Sequence, residues 1–324
     1  MDFNEIKLIS GRIKENVEKV IIGKGKVIDY MVTAIIAGGH VLLEDTPGTG
    51  KTMLAKSIAK SIDGKFNRIQ FTPDLLPTDI TGLNIYNQDT HAFEFVAGPV
   101  FSNILLADEI NRATPRTQSS LLECMEEKQV TIDGNTRILD RPFLVIATQN
   151  PIETAGTYTL PEAQLDRFMM QLSMGFPTED EELSIIDRFI QNNPIDSLSA
   201  VCTKEDIILM GEMCKQVYVD ASVRKYMVDI INATRNNPAI SAGVSPRGTL
   251  ALLKTTQIYA AINGRDYVTP EDVKALAIPV LSHRIVSYTN MAKNSNKEAI
   301  IQTIIDRIAT PTEDFSIKGA NNNF

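Results

Sequence analysis

The chain has 324 residues, of which 43% are hydrophobic and 22% charged, so it can form one large domain or two of ordinary size. Its net charge of −8 and pI of about 5.1 argue against a protein that coats nucleic acid non-specifically, although they do not exclude a local basic channel. No apolar run reaches the ~18–20 residues of a membrane span, and no secretory signal is visible at the first residues. The three cysteines are scattered without disulfide or zinc spacing, which favours a reducing, cytoplasmic location.

The first two thirds of the chain alternate between helical and strand patterns. Residues 4–37 have helical periodicity with a break at residues 23–25. Short apolar runs, which we predict to be strands, follow at residues 40–43, 66–71, 103–107, 143–148 and 168–174. Several of these runs are almost continuous in Val, Ile and Leu, as in strands covered on both faces. The pattern predicts an α/β fold, with a parallel sheet between two layers of helices.

The pattern changes after a polar segment at residues 191–202, which we interpret as a linker. Beyond it the sequence indicates only helices, at about residues 203–218, 221–236, 246–263 and 270–287. Thr203 and Thr269 supply the capping residues of two of them. We therefore predict an α/β core with a helical N-terminal segment over residues 1–190, a small all-helical domain over 203–312, and a frayed tail over 313–324.

A glycine-rich loop joins the first predicted strand to the helix that starts at Lys51. Backbone N–H groups and the positive helix end of such a loop face nucleotide phosphates, Lys51 reaches the outer phosphates, and the Thr52 hydroxyl meets Mg²⁺. The predicted nucleotide-binding residues here are Thr46, Pro47, Gly48, Thr49, Gly50, Lys51, Thr52 and Met53.

Asp45 stands where the phosphate-loop pattern has a glycine, six residues before the lysine. If this position adopts a left-handed conformation, Asp is tolerated there with a small penalty. We expect its carboxylate to cap the loop through its own backbone.

Two acids end the predicted strand at residues 103–107. Asp108 is predicted to hold Mg²⁺, through water, and Glu109 to polarise the attacking water as a general base. The simpler alternative is that the two acids only cap the end of a strand. The presence of the phosphate loop in the same chain argues strongly against this alternative. Asn150 follows the next strand, where it either holds the same water or γ-phosphate, or forms a turn before Pro151.

Taken together, these motifs resemble those of AAA+ ATPases, and within that superfamily the MoxR group. The resemblance covers about residues 12 to 310 and is carried by residues 46–52, 106–113, 147–151, 160–168 and 245–247. It implies that Lys51 and Thr52 belong to Walker A, Asp108 and Glu109 to Walker B, and Asn150 to sensor 1.

The resemblance also assigns residues outside the loop. Arg167 corresponds to the arginine finger, which reaches into the neighbouring subunit's nucleotide, and Arg247 to sensor 2 at the start of a lid helix. The segment around Gly23 resembles the part that packs on adenine. Residues 72–100 and 128–140 resemble two hairpin inserts.

Each of these assignments has a plainer alternative. Arg167 could form a salt bridge with Asp166 or another nearby acid, and Arg247 could pack at a helix N-terminus. Arg112 and Arg116 are weaker candidates for a subunit interface. The insert residues Tyr86, Phe93 and Phe95 contact a substrate in one interpretation and only pack their hairpin in the other.

The family implies a Mg²⁺-dependent ATPase that works as a homo-oligomeric ring, expected to be a hexamer. One chain would supply Lys51, Asp108, Glu109 and Arg247 to each ATP, and the next chain would supply Arg167. The ring would remodel or activate a partner protein, commonly one with a von Willebrand factor A domain. Two alternatives stay open: a nucleotide-dependent binding switch with little turnover, and a nucleic-acid or chelatase-type motor. The acidic pI argues against a motor that acts on nucleic acid.

Overall fold

The computed structural model describes residues 1–151, 156–191, 193–288 and 297–312. In chain order its α-helices are α1 (Phe3–Glu18), α2 (Gly25–Ile36), α3 (Lys51–Ser61), α4 (Pro77–Thr81), α5 (Pro115–Glu127), α6 (Glu162–Leu165), α7 (Glu179–Gln191), α8 (Lys204–Met213), α9 (Ala221–Arg235), α10 (Pro246–Ile262), α11 (Pro270–Leu281) and α12 (Lys297–Arg307). Its strands are β1 (Val41–Glu44), β2 (Phe66–Gln70), β3 (Gly82–Asn87), β4 (Ala92–Ala97), β5 (Ile104–Asp108), β6 (Gln129–Ile132), β7 (Asn135–Ile138), β8 (Leu144–Gln149), β9 (Met170–Leu172), β10 (Ile240–Ala242) and β11 (Val286–Ser287).

The predicted parallel sheet is confirmed. Its five strands lie in the order β2-β5-β8-β1-β9, and every neighbouring pair is parallel. The residues of β5 and β8 are buried except at their last positions, Asp108 and Gln149. Strand β1 ends at Glu44 between β8 and β9, so the loops after β1, β5 and β8 leave the same edge of the sheet, the carboxyl edge. Ligands of open α/β sheets bind at such an edge.

Helices α1 and α2 confirm the helical prediction for residues 4–37. The Asp2 carboxylate accepts a hydrogen bond from the Glu5 N–H, and the Glu5 carboxylate accepts one from the Asp2 N–H, both at 2.8 Å, which closes a capping box. Between the two helices Gly23 has a φ of +74°. A Cβ there would lie 1.7 Å from Oε1 at the flexible end of Glu181, so the left-handed backbone is the main reason why glycine suits this turn.

The two predicted inserts are antiparallel hairpins, β3–β4 and β6–β7. They contact each other, because the Arg137 guanidinium lies 3.9 Å from the centre of the Phe95 ring and Asn84 donates to Asp133 over 2.7 Å. Phe95 also packs edge-on against Phe101, whereas the ring of Phe93 is 72% exposed. Phe95 therefore has the packing role of the plainer interpretation.

The C-terminal part is built mainly from helices α8 to α12, with one addition. Strands β10 and β11 form a small antiparallel ribbon, and α11 ends at Leu281 instead of continuing to residue 287. A 3₁₀ turn at Ser282–Arg284 separates α11 from β11. Strands of two and three residues are too short to give an alternating pattern, so the sequence could not reveal them.

One apolar core joins the sheet to these helices. The buried residues of α1, α2 and α3 and those of α9 to α12 belong to one continuous cluster, and the Tyr30 hydroxyl donates to the Ala275 carbonyl over 2.7 Å. The predicted linker holds a 3₁₀ turn at Pro194–Ser197 in which Ile195 is buried. The division into domains stays a prediction, and the predicted tail at residues 313–324 lies outside the described residues.

We find no helix in the described part of the chain that combines the length and the apolar character needed to cross a bilayer.

Candidate functional site

The loop after β1 has the shape of an anion cradle. Gly48 and Gly50 have φ of +88° and +86°, values that suit glycine. Gly50 caps α3, whose first N–H groups therefore point into the loop. With the positive end of the helix dipole, this arrangement favours a phosphate group at the N-terminus of α3.

The Lys51 ammonium group folds back over this loop. It donates to the carbonyls of Asp45 and Thr46, each at 2.9 Å. Burial lowers the pKa of Lys51, while the carboxylates of Asp45, Asp108 and Glu109 act to raise it. An incoming phosphate would offer this half-buried cation a stronger acceptor than the two carbonyls.

Asp45 is buried, but its backbone does not adopt the left-handed conformation considered for a residue at a position where the loop pattern has glycine. It is absent from the left-handed residues of the described chain, so no backbone penalty arises. The expectation that it caps its own loop is wrong. Its carboxylate accepts hydrogen bonds from the Ser173 hydroxyl at 2.7 Å and from the N–H groups of Met174 and Gly175 at 2.7 and 3.0 Å. Asp45 thus fastens the phosphate loop to the segment after β9.

Asp108 and Glu109 meet at the carboxyl edge through Thr148. The Thr148 hydroxyl donates to Asp108 over 2.6 Å and accepts from the Glu109 N–H over 2.8 Å. Glu109 has a φ of +55°, which turns its side chain away from the strand direction. This buried threonine, on the neighbouring strand β8, was not predicted as a site residue, although it lies directly before Gln149 and Asn150.

Side chains from β2 and from the 3₁₀ turn after β5 pair with the two acids. Arg68 forms an ion pair with Asp108 at 2.6 Å. Gln70 donates to Glu109 over 2.7 Å, and Arg112 pairs with Glu109 at 2.9 Å. Arg112 therefore contacts the site, whereas Arg116 is exposed on α5.

Sequence analysis missed Arg68 and Gln70. They alternate on β2 beside β5, where Gln70 is in register with Asp108. This register could be read only after the strand order was known.

Two adjoining cavities surround the loop. The first has a volume of about 410 Å³ and is lined by Pro47, Gly48, Gly50, Lys51, Thr52, Met53, Asp108, Glu109 and Asn150, among others. The second, of about 230 Å³, is mostly apolar, and residues of the N-terminal segment, the loop and α7 line it, such as Ile22, Lys24, Thr49, Met174 and Phe189. Gly48, Gly50 and Met53 line both cavities. A polar chamber beside an apolar one matches the phosphates and base of a nucleotide.

The donor set of the polar cavity suits Mg²⁺ only in the presence of phosphates. The described residues hold no cluster of three or more His, Cys, Asp or Glu side chains able to bind a metal alone. A hydroxyl from Thr52 and a carboxylate from Asp108 do line the cavity together. Mg²⁺ typically takes one or two protein oxygens and completes its shell with water and substrate phosphates, so these residues fit it.

Arg167 and Arg247 lie elsewhere, at the opposite or amino edge of the sheet. The Glu126 carboxylate binds both, Arg167 at 3.1 Å and Arg247 at 3.2 Å. Both arginines line a third cavity of about 260 Å³ with Gly38, Gly39 and His40, the residues directly before β1. No residue that lines this cavity in the described chain also lines the polar cavity. Arg247 therefore does not join Lys51 of its own chain, which corrects the expected arrangement.

The N-terminus of α10 explains the position of Arg247. Ser245 caps this helix, and its hydroxyl donates over 3.1 Å to Asp166, the residue before Arg167. The sequence alternative of an Arg167 salt bridge is present with Glu126, while Asp166 pairs with Arg284 instead.

Comparisons with known proteins agree with this geometry. The family model of the ATPase family associated with various cellular activities (AAA) matches residues 40–170, which contain β1, β2, β5 and β8, the phosphate loop, and the acids Asp108 and Glu109. A model of the AAA lid domain matches residues 232–304.

Relatives that match along nearly the whole chain point to the same family. The chain is 47% identical to the Bacillus subtilis (strain 168) protein YeaC over 95% of this chain and 97% of that protein. It is 39% identical to the chaperone MoxR1 of Mycobacterium tuberculosis over 91% of this chain and 80% of that protein. A crystal structure of a candidate ATPase from Cytophaga hutchinsonii superposes with a TM-score of 0.89 at 40% identity, covering 96% of this chain and 97% of that one. The chain belongs to the MoxR group of AAA+ ATPases.

Proposed function

We propose that this protein binds ATP with Mg²⁺ and hydrolyses it between the subunits of a homo-oligomeric ring, expected to be a hexamer. The observation that carries this proposal is the separation of its parts. Lys51 and the two acids line a cavity at the carboxyl edge, while Arg167 and Arg247 share Glu126 at the amino edge. Strand β1 separates the two edges, and this separation supports a site that a neighbouring chain would complete.

The phosphates would bind in the polar cavity and the base in the apolar one. The N–H groups at the start of α3 and the Lys51 ammonium would hold the phosphates. Thr52 and Asp108 would hold Mg²⁺, which supplies charge neutralisation on the β- and γ-phosphate oxygens. Ile22, next to Gly23, and Met174, after β9, both line the apolar cavity and would pack against the base.

Glu109 would act as the base that orients the attacking water. In this structure Gln70 and Arg112 both contact Oε2 of this carboxylate, and they would orient it towards a water at the γ-phosphate. Asn150 lines the same cavity and would hold the water from the other side. Thr148 keeps Asp108 and the Glu109 backbone in a fixed relation throughout.

Arg167 and Arg247 would both act on the neighbour's nucleotide. The transition state of phosphoryl transfer spreads negative charge over the γ-phosphate oxygens, and an arginine finger is worth about 10³–10⁵ in rate. Because the two guanidinium groups share one carboxylate, they would arrive together. This replaces the sequence-based arrangement in which Arg247 served its own chain.

The biological role that we propose is chaperone-like remodelling or activation of a partner protein in the cytoplasm. A relative at 39% identity is named a chaperone. The exposed rings of Tyr86 and Phe93 at the tip of β3–β4 offer a surface for such a partner. A partner with a von Willebrand factor A domain is suggested by the family resemblance.

Turnover by the wild type and by Glu109→Gln tests the catalytic part of the proposal. We expect Mg²⁺-dependent ATP hydrolysis by the wild type that collapses in the variant, while ATP binding persists because Glu109 is not needed to hold the phosphates. Tight ATP binding by the wild type without turnover at any protein concentration would contradict an ATPase and leave the nucleotide-dependent switch. Stimulation of turnover by DNA or RNA would favour the motor.

A further inference from the structure

Arg284 is a buried arginine that joins the lid to the core. It lies in the 3₁₀ turn after α11, and its side chain is only 2% exposed. Its guanidinium pairs with the Asp166 carboxylate at 2.7 Å and donates to the carbonyls of Phe168 at 2.7 Å and Met169 at 3.1 Å. A buried guanidinium is costly unless its donors are satisfied, and here a single core segment, residues 166–169, satisfies most of them.

Neighbouring lid residues hold the same segment. The Nε2 of His283 lies 3.0 Å from the Phe168 carbonyl, to which it donates. The Ser245 hydroxyl donates to the second oxygen of Asp166 over 3.1 Å. Ser245 precedes Arg247 by two residues, so Asp166 binds both the turn that contains Arg284 and the start of the helix that carries Arg247.

The local sequence makes room for this contact. A Cβ at Gly248, the residue after Arg247, would lie 2.9 Å from Cδ of Arg284 and 2.4 Å from a methyl group of Val244. Glycine inside the first turn of α10 otherwise weakens a helix. At this position it allows the Arg284 side chain to lie against the first turn of α10.

Residues 166–169 have little regular structure of their own. They lie between α6, a helix of four residues, and β9, a strand of three. Local hydrogen bonds alone would therefore leave the direction of the Arg167 side chain poorly fixed. A displacement of about 1 Å in a group that acts on a transition state can cost on the order of 10²-fold in rate.

We propose that Arg284 and Asp166 are positioning residues that hold residues 166–169, the segment that carries Arg167, against the lid. Arg167 and Arg247 then reach the neighbour's phosphates as one rigid pair. Arg284 does not touch the nucleotide itself, because its donors are occupied by Asp166 and by backbone carbonyls. The inference rests on the proposed function. It adds Arg284, which the sequence motifs did not include, and it gives a positioning role to Asp166, which was only part of a matching string.

Arg284→Lys tests this role, because lysine keeps the charge but cannot reach a carboxylate and two carbonyls in the same geometry. The matched control is Arg265→Lys, which alters another lid ion pair, Arg265 with Asp272 at 2.6 Å, away from the finger. We expect kcat to fall about 10- to 100-fold in Arg284→Lys with ATP affinity unchanged, as for a misplaced catalytic group. The control should keep the wild-type kcat.

Mixed rings show which half of the site is damaged. Arg284→Lys mixed with Lys51→Ala should recover part of the activity, because the Lys51→Ala chain still supplies intact arginines to the Arg284→Lys nucleotide site. Arg284→Lys mixed with Arg167→Ala should not recover, since both chains are defective as arginine donors. A merely structural loss would damage both halves of the site and would not show this asymmetry.

Two results overturn the inference. One is an Arg284→Lys protein as active as Arg265→Lys while Arg167→Ala is inactive. The other is a folded Arg284→Lys protein that Lys51→Ala fails to rescue although it rescues Arg167→Ala. If Arg284→Lys does not fold, Asp166→Asn replaces it in both experiments. The expected results and the results that would overturn the inference are then the same. Absence of turnover in the wild type, or no rescue of Arg167→Ala itself, instead contradicts the proposed function and removes the basis of the inference.

Discussion

Asp45 shows how a single substitution in a phosphate loop can be accommodated. Its carboxylate accepts three hydrogen bonds from residues 173–175, two of them from backbone N–H groups. The same segment lines the apolar cavity through Met174 and Gly175. Asp45 thus connects the expected phosphate site with the expected base site, and its charge is engaged away from the phosphates.

We predict that Asp45→Ala lowers the free energy of unfolding by about 2–3 kcal/mol, because buried donors to a charged acceptor are left unpaired. It should also weaken ATP binding, since the loop loses its attachment to residues 173–175. Urea unfolding and nucleotide titration measure the two effects. Asp45→Asn, which keeps an acceptor oxygen, should lie between the wild type and Asp45→Ala. Equal stability of the alanine variant and the wild type would show that the three bonds contribute little.

His40 predicts a pH dependence of stability. It is fully buried, and its ring nitrogens contact the Met125 carbonyl and the Val145 N–H, each at 3.0 Å. Burial lowers its pKa from 6.5 to about 4. The unfolded chain therefore takes up a proton below about pH 6.5 that the folded chain refuses until about pH 4, so stability falls as the pH falls through this range.

Between about pH 7.5 and pH 5.5 this single group should cost about 1.4 kcal/mol of unfolding free energy. His40→Gln should remove that share of the pH dependence in urea titrations. A His40→Gln protein with the full wild-type pH dependence would disprove the assignment.

At the scale of elements, the β3–β4 hairpin divides its aromatic residues between two roles. Phe95 packs on Phe101 and beneath Arg137, while Tyr86 and Phe93 contact each other at the exposed tip. We therefore expect the tip to be dispensable for folding and available to a partner.

We predict that serine at both Tyr86 and Phe93 changes the unfolding free energy by less than about 0.5 kcal/mol, as is usual for exposed positions. Basal ATP turnover should also be unchanged. Phe95→Ser, the control on the same strand, should cost about 1–2 kcal/mol through its lost ring and guanidinium contacts. Thermal unfolding and an ATPase assay decide the matter, and a large loss of stability in the double variant would mean that the tip is structural.

The sequence predicted elements well where their pattern was strong. Continuous apolar runs identify buried strands such as β5 and β8 in the sequence. The capping residues at Thr269 identify the start of the helix that follows. Strands β10 and β11 escaped because their few residues pair across a long separation in the chain. For the same reason, the predicted helix at residues 270–287 extends beyond the end of α11 at Leu281 and includes the residues of β11.

The candidate site divides in a similar way. Residues of one local string, such as Lys51 and Asp108, could be predicted from spacing alone, and both line the polar cavity. Arg68, Gln70 and Thr148 escaped because they meet the acids across strand neighbours, and strand order is a tertiary property. The position of Arg247 depends on how the lid packs against the sheet, which no local pattern encodes.

At the scale of the whole molecule, we propose that the two edges of one sheet carry the two halves of one catalytic site. The carboxyl edge has the loop and the acids, and the amino edge has the arginine pair held by Glu126. A lone chain should therefore bind nucleotide but hydrolyse it poorly. This division is the central claim of the account.

Mixing two inactive variants tests that claim most directly. Arg167→Ala retains the nucleotide half of the site, and Lys51→Ala retains the arginine half. We predict that each variant alone is nearly inactive, that Arg167→Ala still binds ATP, and that the mixture hydrolyses ATP measurably faster than either. Failure of every mixing ratio to raise turnover above that of the separate variants, under conditions where the chains assemble together, would contradict a site shared between subunits.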